Sequence, residues 1–178
     1  MIKEKMRRKL GFTLAETLIT IVLLLLATGI VAAGIPVAVN AYKKVSQAAN
    51  AQVLLSTTLT ELRDKLAFSE NVGTNTQKTS VTFVNENGHT YSISYSTSPE
   101  KGIYLKDDTL GNSKKDSNRL LVSNEAATRE LYVNYNSINY DDNNPNLITF
   151  EEIKVYRKID DQELAYVDKY SIELMNNE

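Results

Sequence analysis

Between Phe12 and Tyr42 the chain has 31 residues and a single charged side chain, Glu16. A carboxylate in such a setting is costly unless something pairs with it, and an ionisable group inside an apolar segment of membrane length marks function by default. A plainer role is also open, because helix N-termini carry partial positive charge and favour an acid in the first turn. On composition alone the two readings stand level.

Elsewhere the residues suited to chemistry are few. His89 is the one histidine and follows Gly88, which places it in a turn as an exposed residue and not as a base. The absence of cysteine excludes disulfides and thiolate metal sites. No nucleophile elbow, phosphate-cradling glycine loop or metal-spaced histidine pair occurs, so neither catalysis nor a cofactor is expected. The acidic pairs Asp107-Asp108, Asp141-Asp142, Glu151-Glu152 and Asp160-Asp161 raise the question of calcium, which takes six to eight oxygen ligands. Adjacent acids in polar turns are ordinarily solvated, and the spacing of an EF-hand is missing; the best candidate ligands are Asp141 and Asp142. Ten tyrosines, several within Leu131–Tyr140, could form a contact surface or sit half-buried in strands.

The elements that hold these residues differ sharply in material. Residues 1–11 carry five of the 20 basic side chains and one of the 22 acidic ones, leaving the rest of the chain at −6. That mildly acidic remainder argues against nucleic-acid binding, which needs a clustered basic face. Thr17 to Val39 supplies 23 uncharged, mostly apolar residues, and about 20 cross a hydrocarbon core as a helix. The basic tract before it favours a cytoplasmic N-terminus with the remainder outside. A cleavable secretory signal with its cut among the small residues of Ala27–Gly34 is the competing reading, but it leaves Glu16 unexplained.

Here the chain resembles a known family. Gly11-Phe12-Thr13-Leu14-Ala15-Glu16, preceded by Arg7-Arg8-Lys9 and followed by the apolar run, is similar to the prepilin processing motif of type IV pilins, type II secretion pseudopilins and competence pilins. The resemblance covers about residues 3–45. It implies a leader, residues 1–11, cut by a prepilin peptidase after Gly11, and a mature chain starting at Phe12, usually N-methylated. It further implies a filament-core helix over 12–42, held in membrane lipid before an inner-membrane assembly platform packs it against like or related subunits. Glu16 would pair with the Phe12 amine of a neighbouring subunit. Such a pair selects register, because each charge removed from water unmatched costs several kcal/mol. Pro36 falls later than the kinking proline of many pilins; it deprives the Ala32 carbonyl of its donor and makes Gly29–Pro36 the expected kink or flexible stretch. The C-terminal cysteine pair of many major pilins is absent.

Past Lys44 the spacing stays helical, with Ala48, Leu55, Leu59, Leu62 and Leu66 on one face, Gln52 filling the gap, and Gln47, Asn50, Ser56, Glu61 and Lys65 on the other. An amphipathic continuation over 43–70 is expected, stopping at Asn71-Val72-Gly73. A β-rich head then follows over 71–178. Val81, Phe83 and Tyr91, Ile93, Tyr95 flank Asn87-Gly88, the favoured tight-hairpin pair. Residues 103–105, 120–122 and 131–133 are further strands, and Ile153, Val155, Ile159 with Leu164, Tyr166, Tyr170, Ile172, Leu174 predict a terminal hairpin. Asn71–Ser80, Lys106–Asn118 and Tyr140–Asn146 read as loops. The fold expected is α+β, a pilin-like lollipop with the helix covering one face of an antiparallel sheet. The function expected is a structural subunit of an extracellular filament, with a secretion or DNA-uptake pseudopilin, or a single-pass membrane protein with a β-rich binding domain, as alternatives.

Overall fold

The computed structural model of the protein describes residues 13–109, 118–123, 129–141 and 144–175. One helix, α1 (Leu14–Leu66), precedes nine strands: β1 (Glu70–Thr74), β2 (Ser80–Val84), β3 (Thr90–Ser96), β4 (Gly102–Asp107), β5 (Asn118–Leu120), β6 (Leu131–Asn134), β7 (Ser137–Asp141), β8 (Asn144–Arg157) and β9 (Glu163–Glu173). The fold class is α+β. By internal contact the chain divides into two units, Met1–Val45 and Ser46–Glu178.

In the first unit α1 is long and apolar enough to cross a membrane, and none of its most apolar stretch is buried within the chain. Leu18, Ile19, Leu24, Ile30 and Val37 are all exposed. A helix apolar all round cannot choose one face to bury. Its few hydroxyls turn inward: Thr17 donates to the Leu14 carbonyl at 2.9 Å, Thr20 to the Glu16 carbonyl and Thr28 to the Leu24 carbonyl at 2.9 Å. These three hydroxyls are thereby satisfied within the helix itself. The helix runs unbroken through Pro36.

The second unit holds the core. Along its part of α1 the buried residues are Ala51, Leu54, Leu55, Thr58, Leu62 and Leu66, recurring every three or four positions on one face. The expected phase is thus off by a fraction of a turn. Ala48 and Gln52 are exposed, while Gln47, expected outside, accepts a hydrogen bond from Arg157 at 3.0 Å. Thr58 escaped notice because it is polar, yet its hydroxyl donates to the Leu54 carbonyl at 2.7 Å, which makes it buriable. The helix also stops earlier than predicted. Ser69 caps the last turn through its backbone N–H and hydroxyl, both on the Leu66 carbonyl, and Asn71-Val72-Gly73 belongs to β1.

Two antiparallel sheets replace the single one expected. The first is a meander in the order β1-β2-β3-β4-β5; the second centres on β8, with β6 and β7 along one edge and β9 along the other. The Lys78 carbonyl accepts the Ile138 N–H at 2.8 Å, and the Tyr135 hydroxyl donates to the Thr79 carbonyl at 2.6 Å. Both bonds tie the β1–β2 turn to the second sheet. Val81, Phe83, Ile93, Ile103 and Leu105 from one sheet and Ile138, Ile148, Phe150, Ile153, Val155 and Ile172 from the other join the helix residues in one hydrophobic cluster.

The three predicted loops are shorter than expected, because Glu70–Thr74 and Asp141 belong to strands and Asn118 and Asn144 each begin one. The β2–β3 hairpin forms, but by a different turn. Asn85 accepts the Gly88 N–H at 2.9 Å and Gly88 has φ of +74°, so the loop is Glu86-Asn87-Gly88 with glycine at its left-handed third position. The Asn85 side chain accepts from the Asn87 and His89 N–H groups, holding it rigid. In the terminal hairpin the inward face changes parity: Ile148 and Phe150 are buried on β8, then Ile153 and Val155. Glu152, between them, has φ of +51°, a left-handed residue that breaks the two-residue alternation. Hence Ala165 is buried on β9 while Tyr166 is exposed, the reverse of the predicted phase, and Ile159 lies exposed in the turn.

Candidate functional site at the start of the helix

Thr13 and Glu16 form a closed local unit. The Glu16 carboxylate accepts the Thr13 backbone N–H at 2.9 Å and the Thr13 hydroxyl at 3.0 Å, while the Glu16 N–H donates back to that hydroxyl at 3.3 Å. This reciprocal arrangement is a capping box, in which the residue at the helix cap and the acid three positions on satisfy each other's backbone donors. The Thr-x-x-Glu spacing that signals it was readable in the sequence. Glu16 therefore has a partner within its own chain. Gly11 and Phe12, the expected cleavage and methylation residues, lie outside the described residues. Pro36 lies within α1, twenty residues beyond Glu16, with Gly34 beside it facing open space.

Three of the four acidic pairs are engaged in the fold. Asp107 is buried, accepts the Thr109 N–H at 3.0 Å and faces His89 Nδ1 at 3.4 Å, so His89 is half-buried against a carboxylate and not simply exposed. Glu151 accepts from Ser137 at 2.9 Å and Asn139 at 2.7 Å. Glu152 pairs with Lys154 at 2.8 Å. The turn between β8 and β9 is the densest cluster: Asp160 receives Arg157, and Asp161 receives Lys101 at 2.7 Å and the Tyr132 hydroxyl at 2.9 Å. These bonds hold both carboxyls below the usual aspartate range, Asp160 chiefly through Arg157 and Asp161 through Lys101 and then Tyr132. Asp141, one calcium candidate, ends β7, and Asp142 lies outside the described residues. Among the described residues no three His, Asp or Glu side chains gather into a metal-sized group.

Nor do the tyrosines of residues 131–140 make a contact surface. Tyr132 and Tyr135 are buried; Tyr132 stacks on Tyr156 at 5.3 Å, and Tyr135 packs edge-on against Phe150 at 5.5 Å. Burial pushes the Tyr135 phenol well above its ordinary value. Asp161 as a hub between Lys101 just before β4, Tyr132 on β6 and the terminal turn was invisible in the sequence, because its partners lie 60 and 29 positions away.

Comparison with protein-family models, with curated proteins and with solved structures finds no match to this chain.

Proposed function

We propose that the chain is a structural subunit of an extracellular, type IV pilin-like filament, cut after Gly11 by a prepilin peptidase and assembled through its N-terminal helix. The carrying observation is the coincidence of the processing-like string with the helix start: Thr13 caps α1, and Gly11 stands two residues before it in the sequence. Cutting there would remove the basic tract and spare the whole apolar helix, the reverse of signal-peptide removal. Before assembly the helix would anchor the chain in the membrane with its N-terminus cytoplasmic; afterwards neighbouring subunits would replace lipid around Leu18, Leu24 and Ile30.

A second reading has an observation of its own. Because Glu16 already caps its helix, it needs no neighbour, as in a single-pass membrane protein that never polymerises. Glu16→Gln separates the two. Glutamine at this position keeps the capping box but removes the charge. If Glu16 pairs with the Phe12 amine of a neighbour, the variant inserts and is cleaved normally, yet is lost from sheared filaments, since one orphaned charge in a buried pair costs roughly 3–5 kcal/mol. Full incorporation of the variant would remove the charge-pair role. Intact-mass analysis from a host with an active prepilin peptidase should give a chain starting at methylated Phe12; retention of Met1, or a cut near Ala32-Ala33, would overturn the pilin reading.

A further inference from the structure

The last strand, β9, is the outer edge of the second sheet. It pairs with β8 along one side, and among the described residues no strand pairs with the other. At 11 residues it is about twice the usual strand length, and a long open edge is a template for another strand. Scattered charge would serve only to keep partners away, but the charge on β9 is ordered. Its register against β8 passes over two residues, Leu164 and Asp168, each two positions from Tyr166. Glu163, Tyr166 and Lys169 therefore stand opposite Tyr156, Lys154 and Glu151, on the face away from the core, and all three are exposed. Between them Ala165 is buried and Val167 half-buried. Outward from Tyr166 the order is the same both ways: an inward apolar residue, one without a partner on β8, then an outward charge. Only the sign differs, acid on one side and base on the other. Tyr166 at the centre is 57% exposed. Among the described residues Lys169 forms no hydrogen bond or ion pair, and the base nearest Glu163, Lys154 at 3.8 Å, is already held by Glu152 at 2.8 Å.

We propose that this edge pairs with β9 of a second copy of the chain, antiparallel about a two-fold axis at Tyr166. The pattern itself selects that occupant. A two-fold contact sets residue i against j and j against i, so this axis opposes Ala165 to Val167, Leu164 to Asp168, and Glu163 of each copy to Lys169 of the other. Both charge pairs then lie on the outer face, and the places where the register slips fall opposite each other. Other axes lose this match. At Asp168 the axis opposes Glu163 to Glu173 and Asp168 to itself, and at Lys169 it opposes two lysines; like charges directly opposite are destabilising. An axis at Ser171 matches Lys169 with Glu173 but draws in Met175, whose N–H is given to the Ala67 carbonyl at 2.7 Å. The contact closes on itself, so it joins two chains and stops, and it stands whether or not the chain forms filaments.

The test uses the full chain in detergent micelles. Light scattering corrected for detergent should give a dimer for the parent. Lys169→Glu and Glu163→Lys should each weaken it roughly tenfold, because symmetry counts each charge pair twice, and the two together should restore it. The sequence has no cysteine, so a single introduced one reports alone: under mild oxidation Tyr166→Cys should form a covalent dimer and Ser171→Cys, off the axis, should not. Glu16→Gln should leave the dimer unchanged, which separates this contact from the filament reading. If Tyr166→Cys is itself monomeric by scattering, rescue by the paired charge reversal decides instead. A monomeric parent overturns the proposal and leaves the edge to a strand of another protein. A dimer that survives both single reversals, or Ser171→Cys cross-linking as readily as Tyr166→Cys, also overturns it.

Discussion

One helix is built for two surroundings. Up to Val45 its large apolar side chains point outward on every side, whereas beyond Ala51 the buried positions recur on one face and the opposite face carries Gln52, Ser56, Thr57 and Thr60. Backbone geometry does not distinguish the two stretches; side-chain patterning does. The first satisfies its hydroxyls internally and looks outside the chain for apolar contact. The second finds that contact in two sheets. A helix therefore reports its solvent by how many of its faces are apolar, not by how apolar it is.

The hardest test of that contrast is truncation. A fragment starting at Ala41 should be soluble and melt cooperatively, because Ala51–Leu66 still cover the sheets. A fragment starting after Asn71 should lose cooperative melting and aggregate, its apolar face exposed. Equal folding of the two by circular dichroism and thermal melting would refute the helix-on-sheet core.

Point substitutions divide the two stretches more finely. Leu25→Lys places a charge in the outward-facing stretch, where insertion scales assign roughly 2.5–3.5 kcal/mol; it should reduce membrane insertion of the full chain and leave the melting of its second unit unchanged. Leu62→Ala should do the converse, costing ~2–5 kcal/mol in a melting experiment with insertion intact. If either substitution affected both readouts equally, the division near Val45 would be misplaced.

Smaller still is Tyr135→Phe. It removes the hydroxyl that donates to the Thr79 carbonyl at 2.6 Å and should cost about 1–3 kcal/mol, read as a lower denaturant midpoint with unchanged slope.

The smallest effect concerns pH. Asp160 and Asp161 have folded-state values below their unfolded ones, so the stability they add is complete above the ordinary aspartate value near 3.9 and is lost as pH falls through the lower folded values. Asp161→Asn should therefore melt below the parent at neutral pH and converge on it in acid. These are exposed groups, screened by solvent, and the gap should be small and shrink with salt. A gap constant down to pH 2 would assign the Asp161 contribution to something other than its charge.

Much of this was legible in the sequence, and the losses have local causes. The apolar run, the helical period through Leu66 and the hairpins about residues 85–89 and 158–162 follow from residue type at fixed spacing. The helix end was misread because Ser69, not the later Asn-Val-Gly, satisfies the Leu66 carbonyl. The phase of β9 was misread because alternation counts from neighbours, and Glu152, left-handed on the partner strand, resets the count where no glycine announces it. The second sheet depends on β6 pairing with β8, from Leu131 with Arg157 to Asn134 with Lys154, a choice no local pattern encodes. At the site, Thr13 and Glu16 stand three apart and their reciprocal bonding could be foreseen; the cluster on Asp161 could not, since Lys101 and Tyr132 meet it only once the fold is complete.

The distance along the chain between helix and cover sets an order of events during synthesis. Tyr170 donates to the Leu59 carbonyl across 111 positions, and Arg157 reaches Gln47 across 110, whereas β1 through β4 each pair with the next strand in line. At roughly 5–20 residues per second of translation, the strip Ala51–Leu66 emerges about 5–20 s before β8 and β9 exist to cover it. The meander, with its short loops to close, can assemble in that interval and offer Val81, Phe83, Ile93, Ile103 and Leu105 to the strip; the rest of the cover must wait. For those seconds the nascent chain holds Leu54, Leu55, Leu62 and Leu66 only partly covered, and the last strand decides when the strip is closed.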